Sequence, residues 1–521
     1  MSWLVVCCDG TWSTPDMASV TNVRRLYNLL DDVDAGNDPQ QSFYGSGVGT
    51  TGSAASRLEA GAFGTDLDEK ILEAYRWLVT HYSPGDEIAL FGFSRGAYTV
   101  RSLSGMIATC GIVDPAGLDA AMLDDRITRA YEHGYREQRP DWRDDIELRY
   151  DPDSDDIPVR FIGVWDTVGA LGIPANLEWL RPERRDRYTF HDVELDRRIP
   201  AARHAVAIDE MRGPFTPTLW DETELAPGQD VEQVWFAGSH LDVGGGHVDR
   251  GLADITLEWM LDEVGKLTSI GVVPAGSQIV PDPLAVVHED NDNQFGPGVS
   301  LLLDPSLDRW GQLLWDSRPR AIPVIDAGRQ RADVHGTVYA RQQGRPITGG
   351  RYRPTRVLES VGDTATVDVP ARDPWTDAGL YLMPGRYEFT GDGEWRDGGD
   401  WLGPQGTVGP GLNPLTLVGG AFALAFRTTA RVWTGQGHPE WTFFGERRRP
   451  TLPRMRLVGV VANDDGPAPA PGVATHQVVD VGRGQVAEVD VPGYLYAYAN
   501  DAWSSYDDNA GSVRLTVTKV R

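Results

Sequence analysis

Gly92-Phe93-Ser94-Arg95-Gly96 follows the apolar run Ile88-Ala89-Leu90-Phe91 and precedes a helical stretch from Ala97 to Cys110. A serine so placed sits where a strand turns sharply into a helix, the setting of a nucleophile elbow. The flanking glycines have a physical task, because side chains there would collide with the neighbouring strand and helix. A serine hydroxyl is a weak nucleophile until a base takes its proton, and the base needs a carboxylate to fix its tautomer. Asp166, in Gly163-Val164-Trp165-Asp166-Thr167-Val168-Gly169, and His240, in Trp235-Phe236-Ala237-Gly238-Ser239-His240, follow in the order Ser, Asp, His. Acyl transfer is the expected chemistry: Ser94 attacks a carbonyl carbon, His240 moves the proton and Asp166 orients the imidazole. Each partner also has a plain structural reading, Asp166 as a turn cap and His240 as a hydrogen-bonded loop residue.

His204, in Arg203-His204-Ala205-Val206-Ala207-Ile208-Asp209-Glu210, is a rival base with Asp209 near it in sequence, on a segment that reads as helix or loop. Packing or lining the pocket is its other role. Asp242, two residues after His240, has three readings: orienting that imidazole, binding a polar substrate group, or stabilising its own loop. The amide of Arg95 opens a helix and so is placed to stabilise an oxyanion. Gly10-Thr11, following Asp9 at the end of a first strand, is the second candidate donor. Gly45-Ser46-Gly47-Val48-Gly49-Thr50 lacks the Gly-Lys-Ser/Thr ending of a phosphate loop, which argues against nucleotide binding.

The elements that must position these groups read as an α/β fold. Trp3–Cys8, Val159–Trp165 and Val231–Ala237 are short apolar strands ended by polar or glycine residues. Leu67, Ile71, Leu72, Tyr75, Leu78 and Val79 repeat at helical spacing before Ser83-Pro84-Gly85 stops the helix. Strands alternating with helices give a mainly parallel sheet with chemistry at the strands' carboxyl ends. After about Tyr352 the pattern changes to short alternating strands such as Ala365–Val369, Arg386–Phe389 and Val513–Val517, an all-β module. Asp464 to Gly472, rich in proline and alanine, reads as an extended loop inside it. The expected division is residues 1–358 for the catalytic unit and 365–521 for a β-sandwich. A lid is expected within Met122–Ile157 or Leu177–Pro200, both charged and loop-rich.

The 521 residues suffice for two or three domains. A formal charge of −28, with Lys70, Lys266 and Lys519 the only lysines, argues against nucleic acid and against an anionic membrane held by charge. Cys7, Cys8 and Cys110 imply no disulfide framework. The opening residues carry no charged n-region or cleavable apolar stretch, and no window has the length of a transmembrane segment. A cytoplasmic protein, or one exported without a cleavable signal peptide, is expected.

Asn500 to Gly511 concentrates oxygen ligands before a final strand, as calcium requires, although an Asp/Asn-rich turn without metal would look the same. Trp503 and Tyr506 in this loop would stack on a sugar face if exposed, or pack the loop.

Cys8-Asp9-Gly10-Thr11-Trp12, the Ser94 and Asp166 motifs, His204-Ala205 to Asp209-Glu210, and Trp235 to His240 with Asp242-Val243-Gly244-Gly245-Gly246 together resemble the α/β-hydrolase domain of type VI lipase effectors of the first class. The likeness runs from Met1 to about Pro354. It implies an esterase with phospholipase activity in some members and a triad on Ser94, Asp166 and His240. Ala365 to Arg521, through Trp401-Leu402-Gly403-Pro404-Gln405-Gly406 and the Asn500 loop, resembles the PA-I-type galactophilic lectin, a calcium-dependent jelly-roll sandwich. That likeness implies calcium ligands at the side chains of Asp501, Asp508 and Asn509 and the carbonyl of Ser505. The segment after Gly406 lacks the lectin's sugar-binding histidine.

The expectation is therefore a serine hydrolase of acyl esters, lipids among them, docked by its sandwich to a glycan or glycolipid. No cofactor is required for hydrolysis. Two other readings stay open: a calcium-dependent carbohydrate-binding protein with a silent hydrolase scaffold, and a peptidase or amidase on the same fold.

Overall fold

The computed structural model describes residues 2–10, 20–30, 40–47, 65–169, 194–212, 215–273, 278–288, 317–344, 350–407, 447–449, 451–464 and 476–521. The first eight strands are β1 (Trp3–Cys8), β2 (Gln40–Gly45), β3 (Glu87–Phe93), β4 (Ile112–Val113), β5 (Leu148–Tyr150), β6 (Val159–Trp165), β7 (Ala201–Ala207) and β8 (Asp230–Phe236). Six of them form one sheet in the order β2-β1-β3-β6-β7-β8, with every pair parallel. β4 and β5 are a separate short antiparallel pair.

Burial on both faces explains the unbroken apolar run of β1. In β1, Leu4, Val6 and Cys8 join a core with the helices Thr65–His81 and Arg95–Cys110, while Trp3, Val5 and Cys7 face Asn22–Leu29 and Gly251–Leu267. A strand covered on both sides needs apolar residues at both phases of its alternation. Each fully buried leucine or valine contributes roughly 1.5–3 kcal/mol of transfer free energy.

The second half contains β9 (Arg356–Val357), β10 (Thr364–Pro370), β11 (Thr376–Leu382), β12 (Gly385–Asp397), β13 (Asp400–Leu402), β14 (Leu457–Ala462), β15 (Gln477–Asp480), β16 (Gly484–Val489), β17 (Gly493–Ala499) and β18 (Asn509–Lys519). They make two five-stranded sheets, β10-β18-β12-β13 with β16 on β12, and β15-β14-β17-β11-β9. Pairing is antiparallel apart from β9 with β11. Phe389, Trp395, Leu515 and Val517 from one sheet share a core with Leu382, Leu457, Leu495 and Ala497 from the other.

All seven residues of β17, Gly-Tyr-Leu-Tyr-Ala-Tyr-Ala, are buried. Leu495, Ala497 and Ala499 point into the sandwich, whereas Tyr494 and Tyr496 pack on Val206, Ile208, Trp235 and Ile325 of the N-terminal half. Arg353 tightens this seam by pairing with Asp209 and donating to Tyr496 Oη at 3.1 Å. Tyr352 Oη donates to Asp209 at 2.8 Å.

The segment Met122–Ile157, one expected location of the lid, is anchored. Ile127, Tyr131 and Tyr135 sit in the hydrophobic core on one face of the parallel sheet. Of the alternative, Leu177–Pro200, residues 177–193 lie outside the described residues.

Candidate active site

Strand register brings the proposed chemistry to neighbouring strand ends. Phe93 of β3 pairs with Trp165 of β6, Trp165 pairs with Ala205 of β7, and Ala207 pairs with Phe236 of β8. Ser94, Asp166 and His240 follow those strands within one, one and four positions.

Ser94 has φ 58° and ψ −124°, a strained conformation for a residue with a side chain, and its N–H donates to Trp165 O at 3.0 Å. A Cβ on Gly92 would lie 2.5 Å from Gly96 O, and one on Gly96 would lie 2.2 Å from Cys8 O. Only glycine fits either position, so β1, β3 and the helix close around the turn and the serine tops it at 5% exposure.

Asp166 is also left-handed, at φ 38°, and fully buried. Four donors satisfy its carboxylate. Oδ1 accepts from Ala207 N at 2.9 Å and Arg320 Nη1 at 2.7 Å, while Oδ2 accepts from His240 Nδ1 at 2.6 Å and Arg320 Nη2 at 2.9 Å. Burial by itself pushes this carboxyl up. The charge of Arg320 and the bonds from His240 and Arg320 outweigh it and hold Asp166 well below the usual carboxylate range. An ionised Asp166 keeps the proton on His240 Nδ1 and leaves Nε2 to act as base.

His240 begins the short helix His240–Gly244, whose cap is Ser239 with a reciprocal Asp242 bond. Its ring packs on Phe93, with centroids 4.6 Å apart, and meets Phe215 in a T-shaped contact at 4.8 Å. Glu210 Oε2 accepts its backbone N–H at 3.3 Å and pairs with Arg212. Phe93 immediately precedes Ser94, so one aromatic ring links the elbow to the imidazole. Among the described residues no hydrogen bond joins Ser94 Oγ to His240; free enzymes commonly hold this contact loosely until substrate closes it.

His204 departs from its expected helix or loop. It stands inside β7, fully buried, accepting the N–H of Thr167 at Nε2 over 3.0 Å and facing Gln233 Oε1 at 3.3 Å. Burial, aided by the charge of Arg101, lowers its pKa to about 3. A neutral imidazole whose Nε2 is already an acceptor fixes the backbone after Asp166. Asp209, its expected partner in sequence, instead binds Tyr352, Arg353 and Gly238 N.

Asp242 does not orient His240. It caps Ser239 and binds His288, with Nδ1 to Oδ1 at 2.6 Å, and His247 stacks on the His288 ring at 3.9 Å. Gly10 lies against the elbow, since a Cβ there would be 3.3 Å from Ser94 Cβ. Its N–H donates to Asp9 Oδ1 at 2.7 Å, and Thr21 and Tyr44 hydroxyls hold Asp9 Oδ2 at 2.7 and 2.6 Å. Thr11 lies outside the described residues. Arg95 opens the helix Arg95–Cys110 directly after Ser94.

The second candidate centre is in the sandwich. Carboxylate oxygens of Asp397, Asp501 and Asp508 come within 4.8 Å of one another. Asn509 Nδ2 donates to Asp501 at 3.0 Å, while its buried Oδ1 meets no hydrogen-bond partner among the described residues. Arg454 donates to Asp397 at 2.8 Å and Asp501 at 3.1 Å. The carboxylate and amide oxygens fit calcium, with Asn509 Oδ1 as a spare ligand. Ser505 is in the adjoining 3-10 turn, its N–H bound to Ala502 O at 2.9 Å. Tyr506 packs inward, donating to Ala499 O, and the side chain of Trp503 lies outside the described residues.

Sequence reasoning missed Arg320, Glu210 and Asp397 as site residues. Arg320 lies 154 positions from Asp166, and nothing local marks it. Asp397 was within reach, because it ends the strand that enters Trp401-Leu402-Gly403-Pro404.

A family model described as type VI secretion system, phospholipase effector Tle1-like, catalytic domain matches residues 3–263. The chain belongs to this family. An uncharacterized protein of Saccharomyces cerevisiae is 28% identical over 229 residues, which are 41% of this chain and 32% of that protein. The chain thus spans about a third of the length of that curated relative. Among solved structures, the Tle1 effector bound to the VgrG spike of the type 6 secretion system is 17% identical, over 48% of this chain and 52% of that one, with a TM-score of 0.30. An uncharacterized protein from Pseudomonas aeruginosa is 17% identical over 60% and 53%, with a TM-score of 0.31. The EclA N-terminal domain, a PllA-like lectin, is 18% identical over 30% of this chain and 94% of its own, with a TM-score of 0.18. The Tle1-like match runs from β1 into the helix Gly251–Leu267, ending at residue 263, and includes Ser94, Asp166 and His240. Among the described residues no helix is long and apolar enough to cross a membrane.

Proposed function

We propose that this chain is a serine hydrolase of the α/β-hydrolase type that cleaves carboxylic esters of lipids, phospholipids foremost. The observation that carries the reading is the 2.6 Å bond from His240 Nδ1 to a buried, ionised Asp166 at strand ends beside the Ser94 elbow. Ser94 Oγ attacks the acyl carbon as His240 Nε2 takes its proton. The imidazolium returns that proton to the departing alcohol. Water, deprotonated by His240, then releases the fatty acid from Ser94. The Arg95 amide stabilises the tetrahedral oxyanion, and the Gly10 amide joins it once Asp9 Oδ1 gives way. The phospholipase effector family supports a lipid as substrate and a type VI route of delivery.

The sandwich is proposed as a lectin-like docking module. Asp397, Asp501, Asp508 and Asn509 would hold calcium after Arg454 swings aside, with the Ser505 carbonyl as a further ligand. Calcium there would supply positive charge to vicinal sugar hydroxyls. Trp401, 61% exposed and packed beside Gly511, offers a face for a glycan or glycolipid.

The test is fluorophosphonate labelling together with hydrolysis of phosphatidylglycerol vesicles, p-nitrophenyl butyrate and a peptide amide. Labelling at Ser94 with ester cleavage, both abolished in Ser94→Ala, is expected. A native chain that is not labelled and cleaves none of the three substrates would leave a silent scaffold with a carbohydrate-binding module. Amide cleavage alone would make it a peptidase.

A further inference from the structure

We propose that Arg320 is a positioning residue for the Asp166–His240 pair and that the C-terminal sandwich holds it in place, which makes the sandwich part of the catalytic apparatus. This rests on the serine-hydrolase reading.

Arg320 is 6% exposed and its guanidinium closes three contacts at once. It grips both oxygens of Asp166, donates from Nη1 to Ala207 O at 2.7 Å, and donates from Nη2 to Phe215 O. Phe215 is the ring that meets His240 in a T-shaped contact. One side chain therefore fixes the carboxylate, the end of β7 and the wall of the imidazole pocket. A planar bidentate fork sets the plane of a carboxylate in a way a point charge cannot. Without it, Asp166 would face desolvation with His240 alone and would protonate more readily.

Arg320 arrives on an extended segment interrupted by Pro319 and Pro323. On one face this segment is held by the catalytic half, with Ser317 bridged to Arg212. On the other it is held by three side chains of the sandwich. Trp375 Nε1 donates to Ser317 O at 2.8 Å, His476 Nε2 donates to Pro319 O at 2.7 Å, and Tyr494 Oη accepts from Ile325 N at 2.9 Å. The Asp464 N–H donates to His476 Nδ1 at 3.3 Å and so places the proton on Nε2. The backbone on both sides of Arg320 is thus bonded to the sandwich, and one of those bonds is to the adjacent residue.

The test uses full-length Arg320→Ala, Arg320→Lys, His476→Ala and His476→Gln beside Ser94→Ala. Active sites are counted by fluorophosphonate, and kcat and KM for p-nitrophenyl butyrate are measured from pH 5 to 9. Arg320→Ala is expected to lose roughly 10- to 100-fold in kcat per labelled site, the scale known for groups that orient a metal-bound histidine and applied to one that orients this carboxylate, with KM unchanged. The acid limb of its kcat/KM profile should move to higher pH, and guanidinium ion at sub-denaturing concentration should restore part of the rate. His476→Ala should lose several-fold in kcat, His476→Gln, which keeps a donor at the same place, should recover it, and His476→Ala should add little to Arg320→Ala. An Arg320→Ala enzyme with native kcat and pH profile, while Ser94→Ala is inert, overturns the proposal and leaves the serine reading intact. An active Ser94→Ala overturns the serine reading itself. If Arg320→Ala does not fold, Arg320→Lys and His476→Ala decide: native kcat and pH profile in both overturns the proposal.

Discussion

His204 Nε2 receives the backbone N–H of Thr167 across 3.0 Å, so one strand's imidazole holds the turn that carries another strand's carboxylate. Burial keeps that ring neutral, as it does His476 in the sandwich, both with pKa lowered to about 3. In the unfolded chain each histidine takes up a proton near pH 6.5. Folding is therefore favoured fully above about pH 6.5, and this advantage is lost as pH falls toward 3. The urea midpoint is expected to drop steadily between pH 7 and 4. His204→Gln and His476→Gln should each flatten the slope while costing about 1–3 kcal/mol at pH 7. A midpoint independent of pH across that window in the native chain would show that neither ring is held neutral.

Asp166→Asn keeps the size of the side chain and removes the charge that fixes the His240 tautomer. Loss of roughly 10³- to 10⁴-fold in kcat is expected, with folding retained. Steady-state hydrolysis of p-nitrophenyl butyrate, with circular dichroism as the folding control, measures both. A loss of less than tenfold would remove Asp166 from the relay.

Gly96→Ala places a methyl 2.2 Å from Cys8 O, a backbone atom with nowhere to go. The expected cost is about 3 kcal/mol or more, accompanied by slower fluorophosphonate labelling because the elbow must open. Gly85→Ala is a useful contrast, since a Cβ there meets nothing within 4 Å, although its φ of 97° still carries strain. Thermal melts of the two variants should separate by several degrees.

Calcium titration should raise the melting temperature by a few degrees, and EDTA should reverse it, with ester hydrolysis of a soluble substrate unchanged. Asp501→Asn and Asp508→Asn should each abolish the shift, whereas Arg454→Gln should strengthen binding by releasing Asp397 and Asp501. Calorimetry with calcium as the titrant reads this directly. Absence of heat in both the native chain and Arg454→Gln would leave the cluster as an arginine-bridged acidic turn.

Local chemistry explains what the sequence disclosed and what it hid. Trp3–Cys8 and Val159–Trp165 coincide with the strands read from their apolar runs, because burial on both faces leaves a continuous signal. The family was legible for the same reason that the elbow was, through glycines whose neighbours admit no side chain. β7 was obscured: Ala-Ala-Arg-His-Ala-Val-Ala has small and polar residues where a strand usually shows branched ones. Its arginine and histidine are accommodated by the buried partners Glu263 and Gln233, contributed by other elements. Arg320 was invisible as a partner because its bonds span more than a hundred positions, and pairing of that kind leaves no periodicity to read.

A sheet whose outer face carries Tyr494 and Tyr496, screened from water by the neighbouring half, also has an evolutionary meaning. Such a chain cannot be shuffled like beads on a string. A recombination event that brought a foreign partner to either piece would leave a greasy aromatic ledge uncovered. The two pieces are therefore expected to have been inherited and to have diverged together, with compensating changes concentrated where Tyr494 and Tyr496 meet Trp235 and Ile325.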